Sequence, residues 1–94
     1  MGATNIHYEH PRVDASGKEI TAKEAFKNLY EEALEFSGSD PYSGTISTCV
    51  LAGSIRAPKD EDDDYYDLLD RIGKREVRYY KEGNNWVFIG WAAC

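Results

Sequence analysis

The chain has 94 residues, 41% of them hydrophobic and 13% aromatic, and a formal net charge of -6. That length holds one core and excludes a second independent domain, while the apolar share excludes a disordered chain. The negative balance disfavours general binding to phosphate backbones, which draws its affinity from many Lys and Arg contacts.

Residues 3–10, "ATNIHYEH", alternate loosely and end at Pro11, which suits a short edge strand. "VDASGKE" reads as a turn. Thr21-x-x-Glu24 then forms a capping box, with Ile20 and Ala25 placed as a hydrophobic staple. The helix that starts there aligns Ala22, Ala25, Phe26, Leu29, Ala33, Leu34 and Phe36 in one apolar stripe, and Gly38 sits where a left-handed residue ends a helix. From Thr45 to about Ser54 the β-branched run predicts a central strand, with Ile46, Val50 and Ala52 facing one way and Cys49 and Leu51 the other.

"RAPKDEDDD" leaves that strand as a polar loop. Tyr65, Leu68, Leu69 and Ile72 then recur at helical intervals before Gly73, so the second helix is short and acidic at its start. "EVRYYKEGNNWVFIGWAAC" makes two strands joined around "EGNN", where Gly and Asn supply positive φ. Val77 and Tyr79 share a face, and the last strand is apolar on both faces, so its outer side must be covered or used. The order β-α-β-α-β-β predicts a single α+β domain, a mainly antiparallel sheet with both helices packed on one face.

The stretch "SGSDPYSGTIST", residues 37–48, is dense in hydroxyls and glycines. Phosphate loops feed helix N-termini, whereas this one follows a helix C-terminus and enters a strand, so the dipole has the wrong sign. A helix stop is the favoured reading. The alternative is a small-ligand site, for a nucleotide for example, built from Ser39, Tyr42, Ser43, Thr45 and Arg56.

"DEDDDYYD" places Asp60, Glu61, Asp62, Asp63, Asp64 and Asp67 within eight residues, with Tyr65 and Tyr66 among them. Asp60, Asp62 and Asp64 have the opening spacing of a calcium loop, but Tyr65 stands where Gly is required and Arg71 where the bidentate Glu belongs. Carboxylates in a first helical turn are favourable, yet adjacent like charges repel. The surplus points to a contact surface for a basic partner, made of Asp60, Glu61, Asp62, Asp63, Asp64, Tyr65, Tyr66 and Asp67. Arg71, Lys74, Arg75, Arg78 and Lys81 follow, and local pairing with these acids is expected in preference to direct nucleic-acid binding.

His7 and His10 fall on opposite faces of the first strand, and no further ligand is spaced to join them. No catalytic arrangement can be assembled from the spacing, so neither an enzyme activity nor a metal or cofactor is expected. Cys49 reads as a small buried hydrophobe. With only Cys49 and Cys94, no signal-like opening and no apolar run near a bilayer span, a reduced cytoplasmic protein, monomeric or a small homo-oligomer, is expected.

"AKEAF" in the first helix followed by "DPYSGTIST" resembles small uncharacterised proteins carried by phages and other mobile elements, over roughly residues 21–48. The likeness implies origin more than chemistry. In size and acidity the chain also resembles phage-encoded inhibitors of bacterial defence, including anti-CRISPR proteins, which often occupy a basic nucleic-acid groove. The resemblance implies an inhibitor or modulator acting in the host cytoplasm; a structural or accessory role in a phage particle is the other alternative.

Overall fold

The strand with apolar residues on both faces takes an inner place in the sheet. In the computed structural model, which describes residues 3–38, 45–60 and 62–93, β1 (Ala3–Pro11), β2 (Val50–Ser54), β3 (Glu76–Glu82) and β4 (Asn85–Ala93) lie in the order β1-β4-β3-β2. β4 is antiparallel to both neighbours, whereas β2 runs parallel to β3. The chain order is β-α-β-α-β-β, an α+β fold on a mixed sheet, with β1 at one edge as its sequence predicts.

Helix α1 (Ala22–Ser37) starts after Thr21 as expected, with the threonine half of the box: the Glu24 N–H donates to Thr21 Oγ1 at 3.2 Å. Ile20 and Ala25 are both buried beside it. It stops at Gly38, whose φ of +69° no β-carbon opposes and whose N–H donates to the Leu34 carbonyl at 2.7 Å. Ala22, Ala25, Leu29 and Ala33 pack on Ile6, Val77, Trp86, Phe88 and Ala92.

Helix α2 (Asp63–Asp70) corrects the expectation that both helices share one face. Leu69, with Ile72 just beyond the helix, packs on Tyr80, Val87 and Ile89, which belong to the side of the sheet opposite α1. The alternation along β4 requires this, because Trp86, Phe88 and Ala92 point one way and Val87 and Ile89 the other, and all five are buried. One helix covers one face only. Trp91 fixes the second layer by donating its Nε1–H to the Leu69 carbonyl at 2.8 Å.

The expected central strand at 45–54 is also revised. Ile46–Thr48 form a turn of 3₁₀ helix, and β2 contains only Val50–Ser54, at the sheet edge. Ile46, Cys49 and Leu51 all turn towards the α1 layer, while Val50 is 65% exposed. Local hydroxyls explain the turn, since they compete with a ladder for backbone partners. Thr48 Oγ1 donates to the Thr45 carbonyl at 2.8 Å and accepts the Ala93 N–H at 3.0 Å. At Gly53 the β2–β3 register shifts, which further shortens the pairing.

Arg12 ties the hairpin to the start of α1. Its backbone N–H donates to the Asn84 carbonyl at 2.8 Å, its guanidinium donates to the Gly83 carbonyl at 3.1 Å, and the same group lies 5.7 Å from the Trp86 ring. Trp86 in turn donates Nε1–H to the Ile20 carbonyl at 3.1 Å. The turn itself has positive φ at Gly83 and not at Asn84, the pattern of a type II′ hairpin.

Two substitutions test this packing. Thr48→Val leaves the buried Ala93 N–H without its acceptor and is expected to cost about 1–3 kcal/mol in urea unfolding, while Thr48→Ser costs less. Gly90→Ala places a methyl against the Glu76 carbonyl and the Val77 Cα, both backbone and unable to retreat; a loss of at least about 2 kcal/mol is expected by the same measurement.

Candidate interaction surface

The acidic segment divides into carboxylates that build α2 and carboxylates that leave it. Asp60 Oδ1 accepts the N–H groups of Asp62 at 3.1 Å and Asp64 at 3.0 Å, so it caps the helix from outside while Asp62, at the N-cap, makes no side-chain cap bond. Asp64 closes the loop before the helix. It accepts two bonds from the Arg56 guanidinium, at 2.6 and 2.7 Å, and one from the Lys59 N–H at 2.5 Å. The Arg56 guanidinium, and after it the Lys59 N–H, hold the Asp64 carboxyl well below the usual carboxylate range, against the opposing pull of desolvation. The bond to Asp64 likewise raises Arg56 above its ordinary value.

Asp62, Asp63, Tyr66, Asp67 and Asp70 are exposed. Asp63, Tyr66, Asp67 and Asp70 follow the spacing i, i+3, i+4, i+7 and form a stripe opposite the buried Leu68 and Leu69, with Asp62 exposed at its head. Tyr66 is 53% exposed in the middle of that stripe. Asp67 pairs with Arg71 at 3.1 Å on an exposed helical turn, whereas Asp62, Asp63 and Asp70 form no ion pair among the described residues. The stripe is a negatively charged face with one aromatic ring at its centre.

Tyr65 departs from the expected exposed set. It turns towards the sheet, where its hydroxyl lies 3.3 Å from His7 Nδ1, and burial followed by the neighbouring Tyr66 raises its pKa. Its ring meets Tyr66 edge-on at 5.3 Å, so the outward ring rests on the inward one. Glu61 lies outside the described residues.

Of the alternative ligand set, Thr45 and Arg56 are described. Arg56 is committed to Asp64, and the Thr45 hydroxyl lies 2.7 Å from that of Ser47, in the 3₁₀ turn. Ser39, Tyr42 and Ser43 lie outside the described residues. His7 and His10 do take opposite faces: His7 meets Tyr65 below the sheet, and His10 Nε2 lies 3.4 Å from the Asn28 side-chain amide of α1.

Among the described residues, the expected local pairing of the basic run with the acids is seen at Arg71 alone. Arg75 donates Nε–H to the Thr48 carbonyl at 3.1 Å, Arg78 reaches the Ser54 carbonyl at 3.5 Å, and the Lys81 ammonium sits 5.3 Å from the Trp86 ring. Carbonyls and a ring engage Arg75, Arg78 and Lys81, and among the described residues Asp62, Asp63 and Asp70 form no ion pair with the basic run. Sequence reasoning could not see this because acceptors on the backbone leave no residue-type signal. Asp70 was within reach of it, since helical spacing from Asp63 places it on the stripe.

Comparison of the chain with protein-family models, with curated proteins and with solved structures finds no significant match. Among the described residues no helix is long and apolar enough to cross a membrane.

The Asp64 clasp has a pH signature with a defined sign. Its pKa is lower in the folded state, so the stabilisation is present above the ordinary carboxylate value of 3.8 and is lost as pH falls through the folded value. At neutral pH Asp64→Asn should melt below the parent protein. Thermal unfolding followed by circular dichroism should show the gap closing as the solution is acidified past that ordinary value; a gap independent of pH would contradict the assignment.

Proposed function

We propose that the protein is a non-catalytic binding protein that presents the outer face of α2 to a basic surface on another protein. The observation that carries this reading is the stripe of Asp62, Asp63 and Asp70 around Tyr66, exposed and without ion pairs among the described residues. Three carboxylates held close together repel one another, and a cationic partner relieves that repulsion on docking. Tyr66 supplies what charge alone lacks, a rigid ring of the kind that anchors interfaces. The negative charge of the whole chain favours encounter with the same class of surface.

In this reading the protein is phage-encoded and inhibits or modulates a host defence protein, in the host cytoplasm, by covering a basic surface of the kind that accepts nucleic acid. The support is electrostatic: a helix face of exposed carboxylates presents negative charge at the spacing of neighbouring side chains, and a groove built for phosphates is lined to receive it.

The test is titration with a short arginine-rich peptide at low and high salt. The double reversal Asp62→Lys and Asp63→Lys should weaken binding about tenfold at low salt and flatten its salt dependence. Tyr66→Ala should weaken binding at both salt concentrations. Unchanged binding by the reversed variant across the salt range would remove the reading.

A further inference from the structure

Beside the amino end of α2 the sheet exposes Glu9 and Glu82, while Val87 and Tyr80 between them are buried. Leu69 and Ile72 seal Val87 and Ile89, but the hairpin end of the same face remains open, and the loop carrying Pro58, Lys59 and Asp60 arches over it to leave a cleft of about 550 Å³. That volume lies within the roughly 300–1,000 Å³ of small-molecule sites. His7 and Glu9 form one wall, on β1; Tyr80 and Glu82 form the opposite wall, on β3. The β4 residue Val87, paired with both Glu9 and Tyr80, runs between the two walls.

The charge of the cleft is one-sided. Its lining includes Glu9, Asp60 and Glu82 beside Lys59, with Asp60 Oδ1 already bonded to the amino end of α2. Glu9 and Glu82 are exposed and make no hydrogen bond or ion pair among the described residues, and Lys59 makes no ion pair there either. Tyr65 closes the remaining side, its ring tilted 37° to His7 at a centroid distance of 5.9 Å and its hydroxyl held by that histidine. Carboxylates on the two flanking strands and a tyrosine ring at the side give the lining the chemistry of a receptor for a flat cation.

We propose that this cleft seats one arginine side chain of a protein partner, and the inference rests on the reading of α2 as the partner face. A guanidinium matches the geometry better than an ammonium, because its planar fork donates in two directions at once, towards Glu9 and Glu82, while its face stacks on an aromatic ring. Anionic ligands are disfavoured by the same carboxylates. Tyr65 and Asp60 belong both to the cleft and to the head of α2, and the Tyr65 ring touches Tyr66, so the pocket and the outer stripe form one continuous surface. The stripe attracts a basic surface over a broad area, and the cleft fixes its register by taking one side chain.

The probe is Nα-acetyl-arginine methylamide, with the neutral citrulline analogue as its control, titrated against the full chain and followed by amide and side-chain NMR shifts. Saturable shifts at His7, Tyr65 and Tyr80 are expected with the arginine compound and not with citrulline. Glu9→Gln with Glu82→Gln, both at exposed positions, should weaken the response about fivefold, whereas Asp62→Lys with Asp63→Lys should change it less than twofold. An equal response to citrulline, or no loss in the Glu9/Glu82 variant, overturns the assignment. The arginine-rich peptide separates the two levels of the proposal. If its binding falls with the Asp62/Asp63 reversal but not with Glu9→Gln and Glu82→Gln, the cleft is refuted and the α2 reading stands; if the isolated arginine compound binds in the cleft while the reversal leaves peptide binding unchanged, the cleft stands and the α2 reading falls.

Discussion

Double-sided burial of β4 is the constraint from which the rest of the structure follows. Val87, Phe88 and Ile89 are each 0% exposed although they alternate in direction, so both faces of the strand must be roofed. A chain of 94 residues has little material for two roofs. α1 supplies the first with a long stripe dominated by alanine, which lets it approach the sheet closely. The second is the eight-residue α2, too short to persist alone in water. It depends on contacts made outside itself: Leu69 and Ile72 in the lower core, the Trp91 bond to the Leu69 carbonyl, and the Arg56–Asp64 clasp that shapes the incoming loop.

This dependence gives the acidic segment two roles that a count of charges merges into one. Asp60 and Asp64 face the main chain and Arg56, and they stabilise the start of a helix that would otherwise fray. Asp62, Asp63 and Asp70 make no such bonds: Asp62 and Asp63 gain only from the helix N-terminus, and Asp70, at the opposite end, gains nothing from it. Only a subset of the segment is therefore left over for contact with another molecule. The basic run downstream does not cancel that subset, because Arg75 and Arg78 bond to carbonyls and Lys81 lies against Trp86.

Much of the local structure was legible in the residues. Thr21 and Glu24 mark the start of α1, Gly38 its end, and the Gly83–Asn84 pair the hairpin, because each of those signals is a short-range backbone requirement. The two-faced pattern of β4 announced that something covers its outer side. What covers it was not legible, since the choice between one layer of helices and two is made by long-range packing of Leu69 and Ile72. The 3₁₀ turn escaped for a different reason: Ile46, Thr48 and Val50 favour strand by type, but the Thr48 hydroxyl finds partners at Thr45 and Ala93 that only the folded chain brings near. Within the candidate surface, helical spacing suffices to group Asp63, Tyr66, Asp67 and Asp70. The inward turn of Tyr65 needs the position of His7, which lies 58 residues away in sequence.

The chain's two tryptophans fall on opposite sides of β4. Trp86 reports on the layer under α1, with the Arg12 and Lys81 cations against its indole, and Trp91 reports on the layer under α2 through its bond to Leu69. Each half of the sandwich thus carries its own fluorophore. Intrinsic emission, resolved by replacing one indole at a time, separates an event that loosens the short helix from one that melts the entire domain, without any added label.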